Sequence, residues 1–385
     1  MDYAMSEPAT ERSELVKLNE SVIHVVNQLF QDAIQKHVSD IHIEPYDQHC
    51  RIRFRQNGLL HEVTTLPLPL ATQITARLKM MANLNIAEKR LPQDGHIPLR
   101  HTQQMDIRIS TCPTLFGEKI VLRLLNSKTI NMDIDALGFT EIQKKLFLSK
   151  LAQPQGLILV TGPTGSGKTV TLYSALHYLN QIEKNIVTVE DPIEIELKGI
   201  NQVHVNIKIG LDTATILRSC LRQDPDIIMI GEIRDRDTAT LALAAAQTGH
   251  LVLSTLHTNS AIESMLRLQQ LGITADQLIP SLTLIIAQRL VRQLCPHCKE
   301  VDASGIGYQP IGCHNCYKGF KGRTGIFELI PMTQTIASSL LSGHTMIAIL
   351  QQINKEKLML LKEAGHEKIA CGITTLREIK RVLTI

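Results

Sequence analysis

Eight consecutive residues, Gly162-Pro163-Thr164-Gly165-Ser166-Gly167-Lys168-Thr169, satisfy the pattern G-x-x-x-x-G-K-[ST] in full. An apolar run at 157–160 precedes them. Leu172, Ala175, Leu176 and Leu179 follow at helical spacing, so the loop joins a strand to a helix, the context this motif requires. Glycines there let backbone N–H groups converge on phosphate oxygens, and the helix N-terminus adds its dipole. Lys168 is placed to bridge the β- and γ-phosphates of a nucleoside triphosphate, and the Thr169 hydroxyl to ligate Mg²⁺. The alternative is a glycine-rich turn with no ligand, against which the complete motif in its complete context speaks.

Such a loop needs carboxylates for metal and water. Glu190-Asp191 follows the apolar run 186–189, and Glu232 follows the run 227–230. Charges at the C-terminal ends of parallel strands lie in the crevice where ligands bind. Each acid alone also reads as a solvated strand end, but beside the phosphate loop both gain weight. His257, after the run 251–253 and Ser254-Thr255, is a third such position, with a strand-end or core histidine as its plainer reading.

Cys295-x2-Cys298 and Cys313-x2-Cys316 are separated by fourteen residues. Four thiolates at this spacing close a tetrahedron around zinc, with Ser304-Gly305-Ile306-Gly307 as a flexible turn between the pairs. Two disulfides or two redox pairs are the alternatives, and a structural zinc is favoured over both. His297 and His314 read as bystanders, because four thiolates already satisfy the metal. Cys50, Cys112, Cys220 and Cys371 are scattered singly and read as small buried hydrophobes.

These groups must be positioned by a chain of 385 residues, long enough for two or three domains. Hydrophobic residues are 44% and charged residues 20%, a folded rather than disordered profile. Net charge is only +3 and aromatics only 3%, so neither a nucleic-acid groove nor a base-stacking platform is supplied by composition. The first residues lack the basic and apolar regions of a signal peptide, and apolar stretches fall far short of the ~20 residues a bilayer demands. The expectation is a cytoplasmic chain that meets membrane only through partners.

Helical spacing of Val22, Val25, Val26, Leu29, Phe30, Ala33 and Ile34 predicts a helix over about 21–38, after a disordered tail at 1–20. Strands are expected at 41–44 and 51–55. Asn57-Gly58 turns the chain into a return strand at 59–63. A helix near 70–84 and strands at 105–109 and 119–125 complete an α+β domain over 21–126, with a linker expected at 127–139 from a polar stretch that begins at Asn126. Arg51, Arg53 and Arg55 share one strand face and read as a solvated row, and Arg108 and Arg123 are ambiguous on their own. From Gly156 continuous apolar runs alternate with helices, which predicts a mainly parallel α/β sheet. The expected core spans 140–290, a cysteine insert 291–330 and a helical C-terminal subdomain 331–385, where Thr374-Thr375 caps the last helix.

With these segments on the page, the chain resembles the secretion ATPases that drive type IV pilus assembly and type II secretion. The matching stretches are Ser39-Asp40-Ile41-His42-Ile43-Glu44-Pro45, Arg90-Leu91-Pro92-Gln93-Asp94-Gly95 and Pro113-Thr114-Leu115-Phe116-Gly117-Glu118-Lys119, besides the phosphate loop. Three further boxes match: Val189-Glu190-Asp191-Pro192-Ile193-Glu194, then Gly231-Glu232-Ile233-Arg234-Asp235, then Ser254-Thr255-Leu256-His257-Thr258-Asn259 with Thr248-Gly249-His250 before it. The resemblance implies a RecA-like P-loop ATPase core, preceded by a small α+β domain and carrying a tetracysteine zinc insert. It implies ATP, Mg²⁺ and Zn²⁺ as cofactors, Glu232 polarising the attacking water, and Glu190 on Mg²⁺ or water. It also implies His257 and His250 near the phosphates, with Arg108 and Arg123 reaching the nucleotide from the first domain. A homohexamer is implied, acting on an inner-membrane platform protein of a pilus or secretion machine, with no nucleic acid as partner.

The tetracysteine argues for an assembly motor over a retraction motor, and the stretches 114–119, 199–203 and 284–290 look more like the pilus branch than the secretion branch. Family members usually carry an N-terminal docking domain ahead of this region, Asn57 stands where the hairpin turn usually has an acid, and the zinc loop is short. Against the mechanical ATPase stand a nucleic-acid motor, disfavoured by charge and aromatics, and a non-hydrolysing nucleotide-binding assembly protein. The intact Lys168, Glu190 and Glu232 disfavour the latter.

Overall fold

The computed structural model describes residues 9–99, 105–125, 131–302 and 307–383. The start of the expected tail, Asn126 with residues 127–130 of the expected linker, and Ser304, Gly305 and Ile306 of the cysteine loop lie outside the described residues. The chain divides into two compact units, Met1–Thr129 and Ile130–Ile385.

In the first unit α1 (Ala9–Gln35) is followed by β1 (Asp40–Pro45), β2 (Cys50–Gln56), β3 (Leu59–Leu66), α2 (Leu68–Met81), β4 (Gln93–Leu99), β5 (Met105–Thr114) and β6 (Gly117–Leu125). The helix begins at Ala9, inside the stretch expected to be tail. Ala, Glu, Arg, Lys and Leu dominate residues 9–18, and all are good helix formers. The strands form one antiparallel sheet in the order β3-β2-β1-β6-β5-β4. Asn57 and Gly58 both take positive φ, 50° and 84°, which matches the right-handed twist of the hairpin they close. Strand β4 was hidden by Gly95 and Pro98. It is an edge strand, where a residue without an N–H is tolerated. Val26, Phe30 and Ala33 of α1 and Ile74 and Leu78 of α2 bury against Ile41, Ile43, Ile52, Phe54, Ile107, Ile120 and Leu122.

The second unit opens with a one-turn helix at Ile134–Leu137. Then come α3 (Glu141–Leu151), β7 (Gly156–Thr161), α4 (Lys168–Leu179), β8 (Ile186–Glu190), β9 (Asn201–His204), α5 (Thr213–Cys220), β10 (Ile227–Ile230), α6 (Arg236–Gln247) and β11 (Leu251–Leu256). The chain continues through α7 (Ala261–Gln270), α8 (Ala275–Leu278), β12 (Leu282–Leu294), β13 (Lys299–Val301), β14 (Tyr308–Pro310), β15 (Phe320–Pro331), α9 (Gln334–Leu341), α10 (Met346–Lys355), α11 (Leu361–Ala370) and α12 (Leu376–Val382). Seven strands make one sheet ordered β15-β12-β7-β11-β10-β8-β9, parallel throughout except for the β12–β15 pair. Strands β7, β8, β10 and β11 are buried along their whole length, which is why they read as unbroken apolar runs.

The stretch expected as a separate cysteine insert contributes to this sheet at both ends, since β12 continues to Leu294 and β15 returns from Phe320 beside it. Arg289, Arg292 and Gln293 interrupt the apolar pattern and hid the strand's length. Of the threonine pair near the C-terminus, Thr375 Oγ1 accepts from Glu378 N as the cap, while Thr374 is fully buried and donates to Arg292 O at 2.8 Å. No described helix is long and apolar enough to cross a membrane.

The first unit contains a buried ion pair. Lys79 Nζ lies 2.5 Å from Glu118 and donates to Glu88 O at 2.6 Å, and Lys79 is wholly buried. Lys79→Met leaves Glu118 uncompensated and is expected to destabilise this unit by about 3–5 kcal/mol, while adding Glu118→Leu restores most of the loss. Hydrogen exchange of β1 and β6 amides in the full chain measures both. Equal protection in the single variant and the parent would refute the assignment.

Candidate nucleotide and metal sites

The phosphate loop leaves β7 at Thr161 and enters α4 at Lys168. Gly162, Gly165 and Gly167 all take positive φ (149°, 79° and 90°). A Cβ on Gly162 would stand 2.5 Å from Gln288 O, and one on Gly167 would stand 2.9 Å from Gln288 Nε2. Glycine is therefore required twice over, by conformation and by the close approach to β12. Gln288 Oε1 also accepts from Thr171 Oγ1 at 2.8 Å, tying α4 to that strand.

Lys168 Nζ donates to Gly162 O at 2.8 Å and Pro163 O at 3.2 Å. Burial pulls its pKa down to about 8; Glu232 works against that pull and Arg289 adds to it. A buried ammonium beside another cation is short of negative charge, and phosphate supplies it. Ser166 Oγ is buried with no hydrogen-bond partner among the described residues. This orphaned hydroxyl, the glycine cradle and the under-compensated lysine together fit a bound phosphate chain. The Thr169 hydroxyl, on an exposed residue in the otherwise largely buried first turn of α4, fits an Mg²⁺ beside it.

Glu232 follows β10 and is fixed by its neighbours, since Gly231 N donates to Val189 O and Ile233 N to Thr255 O. Its carboxylate, 20% exposed, meets His257 Nε2 at 3.0 Å and the Arg234 guanidinium. The loop bearing His257 is clamped to the end of β7, where Thr161 Oγ1 accepts from Thr258 N at 3.0 Å and donates to Leu256 O. The structure thus gathers Glu232, His257 and Lys168 at the C-terminal edge of the sheet. Arg234, absent from the expected catalytic set, joins them; the only signal for it was its place in the Gly231–Asp235 box. The last residue of that box, Asp235, caps α6 through Thr238 N.

Glu190 is buried. Its carboxylate accepts from Tyr173 Oη, from Thr188 Oγ1 at 2.6 Å and from Gln202 Nε2 at 3.0 Å. Burial and the adjoining Glu190 carboxylate push the Tyr173 pKa far up, so the phenol stays a donor. His250 does not join the site within this unit. It precedes β11, whose first residue pairs with Gly156 while its last pairs with Thr161, so it lies at the opposite edge of the sheet, about 20 Å from the loop at ~3.3 Å per residue. Its ring instead lies 3.0 Å from Ala245 O, at the end of α6.

Arg108 and Arg123 belong to the first unit, directly opposite each other on β5 and β6. They line a cavity of about 450 Å³ with Asp94, His96 and Ser110. Arg51 and Arg53, expected as a solvated row, instead bind buried Glu44, and Arg55 binds Asp40.

The four cysteine sulfurs lie within 4.8 Å of one another. The Sγ distances are 3.8 Å for Cys295–Cys313, and 3.7 Å for both Cys298–Cys316 and Cys313–Cys316. Tetrahedral Zn–S bonds of ≈ 2.3 Å imply edges of about 3.8 Å, so the donor set fits zinc. None of the eight cysteines is in a disulfide. Gly312 N and Cys313 N each donate to a sulfur at 3.3 Å, as befits thiolates. Among the scattered cysteines, Cys50 and Cys220 are buried, whereas Cys112 and Cys371 are exposed, contrary to expectation.

A glycine-cradled lysine in the loop after one parallel strand, β7, with a glutamate following β10, two strands away in the same sheet, defines a P-loop ATPase of RecA-like fold. The family described as "Type II/IV secretion system protein" matches residues 16–381, and the chain belongs to it. It is 48% identical, over 99% of its length, to the type IV pilus assembly ATPase PilB of Pseudomonas aeruginosa, of which it spans 71%. It is 46% identical to the protein of the same name from Acinetobacter baylyi, of which it spans 66%. It is 43% identical, over 99% of its length, to the type II secretion system protein E of Klebsiella pneumoniae, of which it spans 80%. Among solved structures it is similar to the pilus retraction motor PilT with bound ADP, with TM-score 0.64, 26% identity and coverage of 93% of this chain and 96% of that one.

Two outcomes follow from these sites. Because phosphate must raise a lysine pKa that stands near 8, nucleotide binding at pH 8.5 takes up protons, and affinity falls by up to tenfold per unit as pH rises past 8. Calorimetry in buffers of differing ionisation enthalpy reads this directly. Buffer-independent heats, or equal uptake in Lys168→Ala, would refute it. Elemental analysis of protein purified without chelator should find one zinc per chain, lost from a Cys295→Ser/Cys298→Ser variant.

Proposed function

We propose that this chain is the motor ATPase of type IV pilus assembly, a homohexamer that couples ATP hydrolysis to pilin addition through an inner-membrane platform protein. Identity of 48% over nearly the whole chain to a pilus assembly ATPase carries this reading, supported by a P-loop in electrostatic reach of Glu232. The runner-up is a type II secretion motor, to which the 43% relative points. On this proposal residues 21–126 are the arginine-bearing module, 140–294 with the returning strand 320–331 the nucleotide core, 295–319 the zinc knuckle and 332–385 a helical subdomain. Residues 127–139 link the first two.

Residues 162–169 cradle the triphosphate, and Lys168 gives its ammonium to the β- and γ-phosphates. When bound, Mg²⁺ neutralises charge on those oxygens; the Thr169 hydroxyl would ligate it. Glu190, fixed in one rotamer by three donors, suits an acceptor for metal-bound water better than a mobile base. Glu232 would polarise the attacking water and His257 keeps it oriented. Arg108 and Arg123 would reach a nucleotide held by the neighbouring copy. Cys295, Cys298, Cys313 and Cys316 would hold zinc structurally. The protein would work in the cytoplasm at the inner membrane, with no nucleic acid involved.

Glu232→Gln keeps the shape and should bind nucleotide with near-parental affinity while phosphate release falls by on the order of 10²-fold or more. Membranes bearing a pilus platform protein should stimulate release by the parent chain, and membranes bearing a type II secretion platform should not. The reverse pattern would assign the chain to secretion.

A further inference from the structure

Asp40 of β1 lies directly opposite two arginines, Arg123 on β6 and Arg55 on β2. Its side chain is 7% exposed. Oδ1 accepts from Arg123 Nε at 3.0 Å; Oδ2 accepts from Ser39 Oγ at 2.9 Å and lies 3.5 Å from Arg55 Nε. Arg123, by contrast, is 56% exposed. A solvent-facing guanidinium is therefore anchored on a buried acid through its inner nitrogen. With Nε engaged, the two Nη groups remain as a planar edge, the geometry that binds two oxygens of a phosphate at once.

Two further facts make orientation the issue. Arg108 is the direct cross-strand partner of Arg123, and like charges so placed repel unless something directs them. Both line the same cavity. A buried carboxylate is also a poor choice for stability alone, since an apolar side chain at such a position usually serves as well or better.

We propose that Asp40 is a positioning residue for the ATPase reaction. It touches no reacting atom and holds Arg123 by Nε so that the Nη edge faces the cavity toward the triphosphate of a second copy. The proposal rests on the reading above that Arg123 acts on nucleotide. A misaligned guanidinium forfeits much of its effect, because displacement of about 1 Å at a catalytic group costs on the order of 10²-fold.

The test is a double-variant cycle in the full chain, with steady-state ATP turnover and thermal unfolding measured on each protein. Asp40→Ala should lower kcat on the order of 10–100-fold with little change in KM, the pattern of an interaction made in the transition state. Asp40→Ala/Arg123→Ala should be no slower than Arg123→Ala alone, because the aspartate acts only through the arginine. Asp40→Asn retains the shape and an acceptor oxygen. It should keep its unfolding temperature and show an intermediate kcat, which covers the case where the alanine variant fails to fold. Parental kcat in Asp40→Asn and Asp40→Ala alongside an impaired Arg123→Ala overturns the positioning role, as does a double variant that falls additively below both singles. An unimpaired Arg123→Ala overturns the arginine reading itself, and the two failures are thereby told apart.

Discussion

The contact between the phosphate loop and β12 is the constraint on which the second unit depends. Gly162 and Gly167 approach Gln288 too closely for any side chain, and Gln288 in turn holds Thr171 of α4. One strand therefore forms the rear wall of the nucleotide loop. Six residues further on, the same strand ends and Cys295 begins the knuckle. The four thiolates close the 25-residue excursion between Leu294 and Phe320, at the end of the antiparallel pair that β12 forms with β15. Metal binding at a site that the unfolded chain lacks is folding free energy. A zinc here would stabilise the strand pair behind the phosphate loop without touching nucleotide.

The same pair of strands joins the C-terminal helices to the catalytic edge. Glu328 of β15 is buried and accepts from Ala261 N at 2.9 Å and Leu361 N at 3.3 Å, the first residues of α7 and α11. Burial raises its pKa, and the two helix N-termini with nearby Arg289 counter that shift. Arg289 then donates to Asn259 O at 2.8 Å, two residues beyond His257. One carboxylate thus links the first residue of α11 to that of α7, and nearby Arg289 holds the loop that carries the Glu232 partner. A buried acid shared by two helix N-termini costs much to leave half-satisfied, so its two hydrogen bonds fix both helices to β15.

What the sequence made legible was whatever chemistry imposes on contiguous residues. The phosphate loop, the acids after apolar strands and the paired cysteines are local patterns, and all lie where strand ends or turns present them. What it hid depends on pairing across distance. His250 sits in the same box as His257, yet six residues of extended chain carry it to the other edge of the sheet. Strand β15 contains Gly322, Thr324 and Gly325, and only its pairing with β12 makes it a strand. Gly325 is needed because a Cβ there would stand 2.2 Å from the Phe327 ring. The arginines of β2 looked like a solvated row because their acids, Asp40 and Glu44, lie on a different strand.

Those acids also explain why composition gave no hint of an anion site. Arg51, Arg53, Arg55, Lys119 and Arg123 all pair with just two carboxylates, so these cations outnumber the acids they touch by three. Burial alone would raise the pKa of Glu44, yet Arg53 and Lys119 hold it down to about 2. Glu44 therefore stays ionised at any pH the protein meets. The pull of such a charge set on an anion it faces weakens with their separation. On the proposed reading, where that anion is the triphosphate of a neighbouring copy, closer approach of two copies would strengthen that pull.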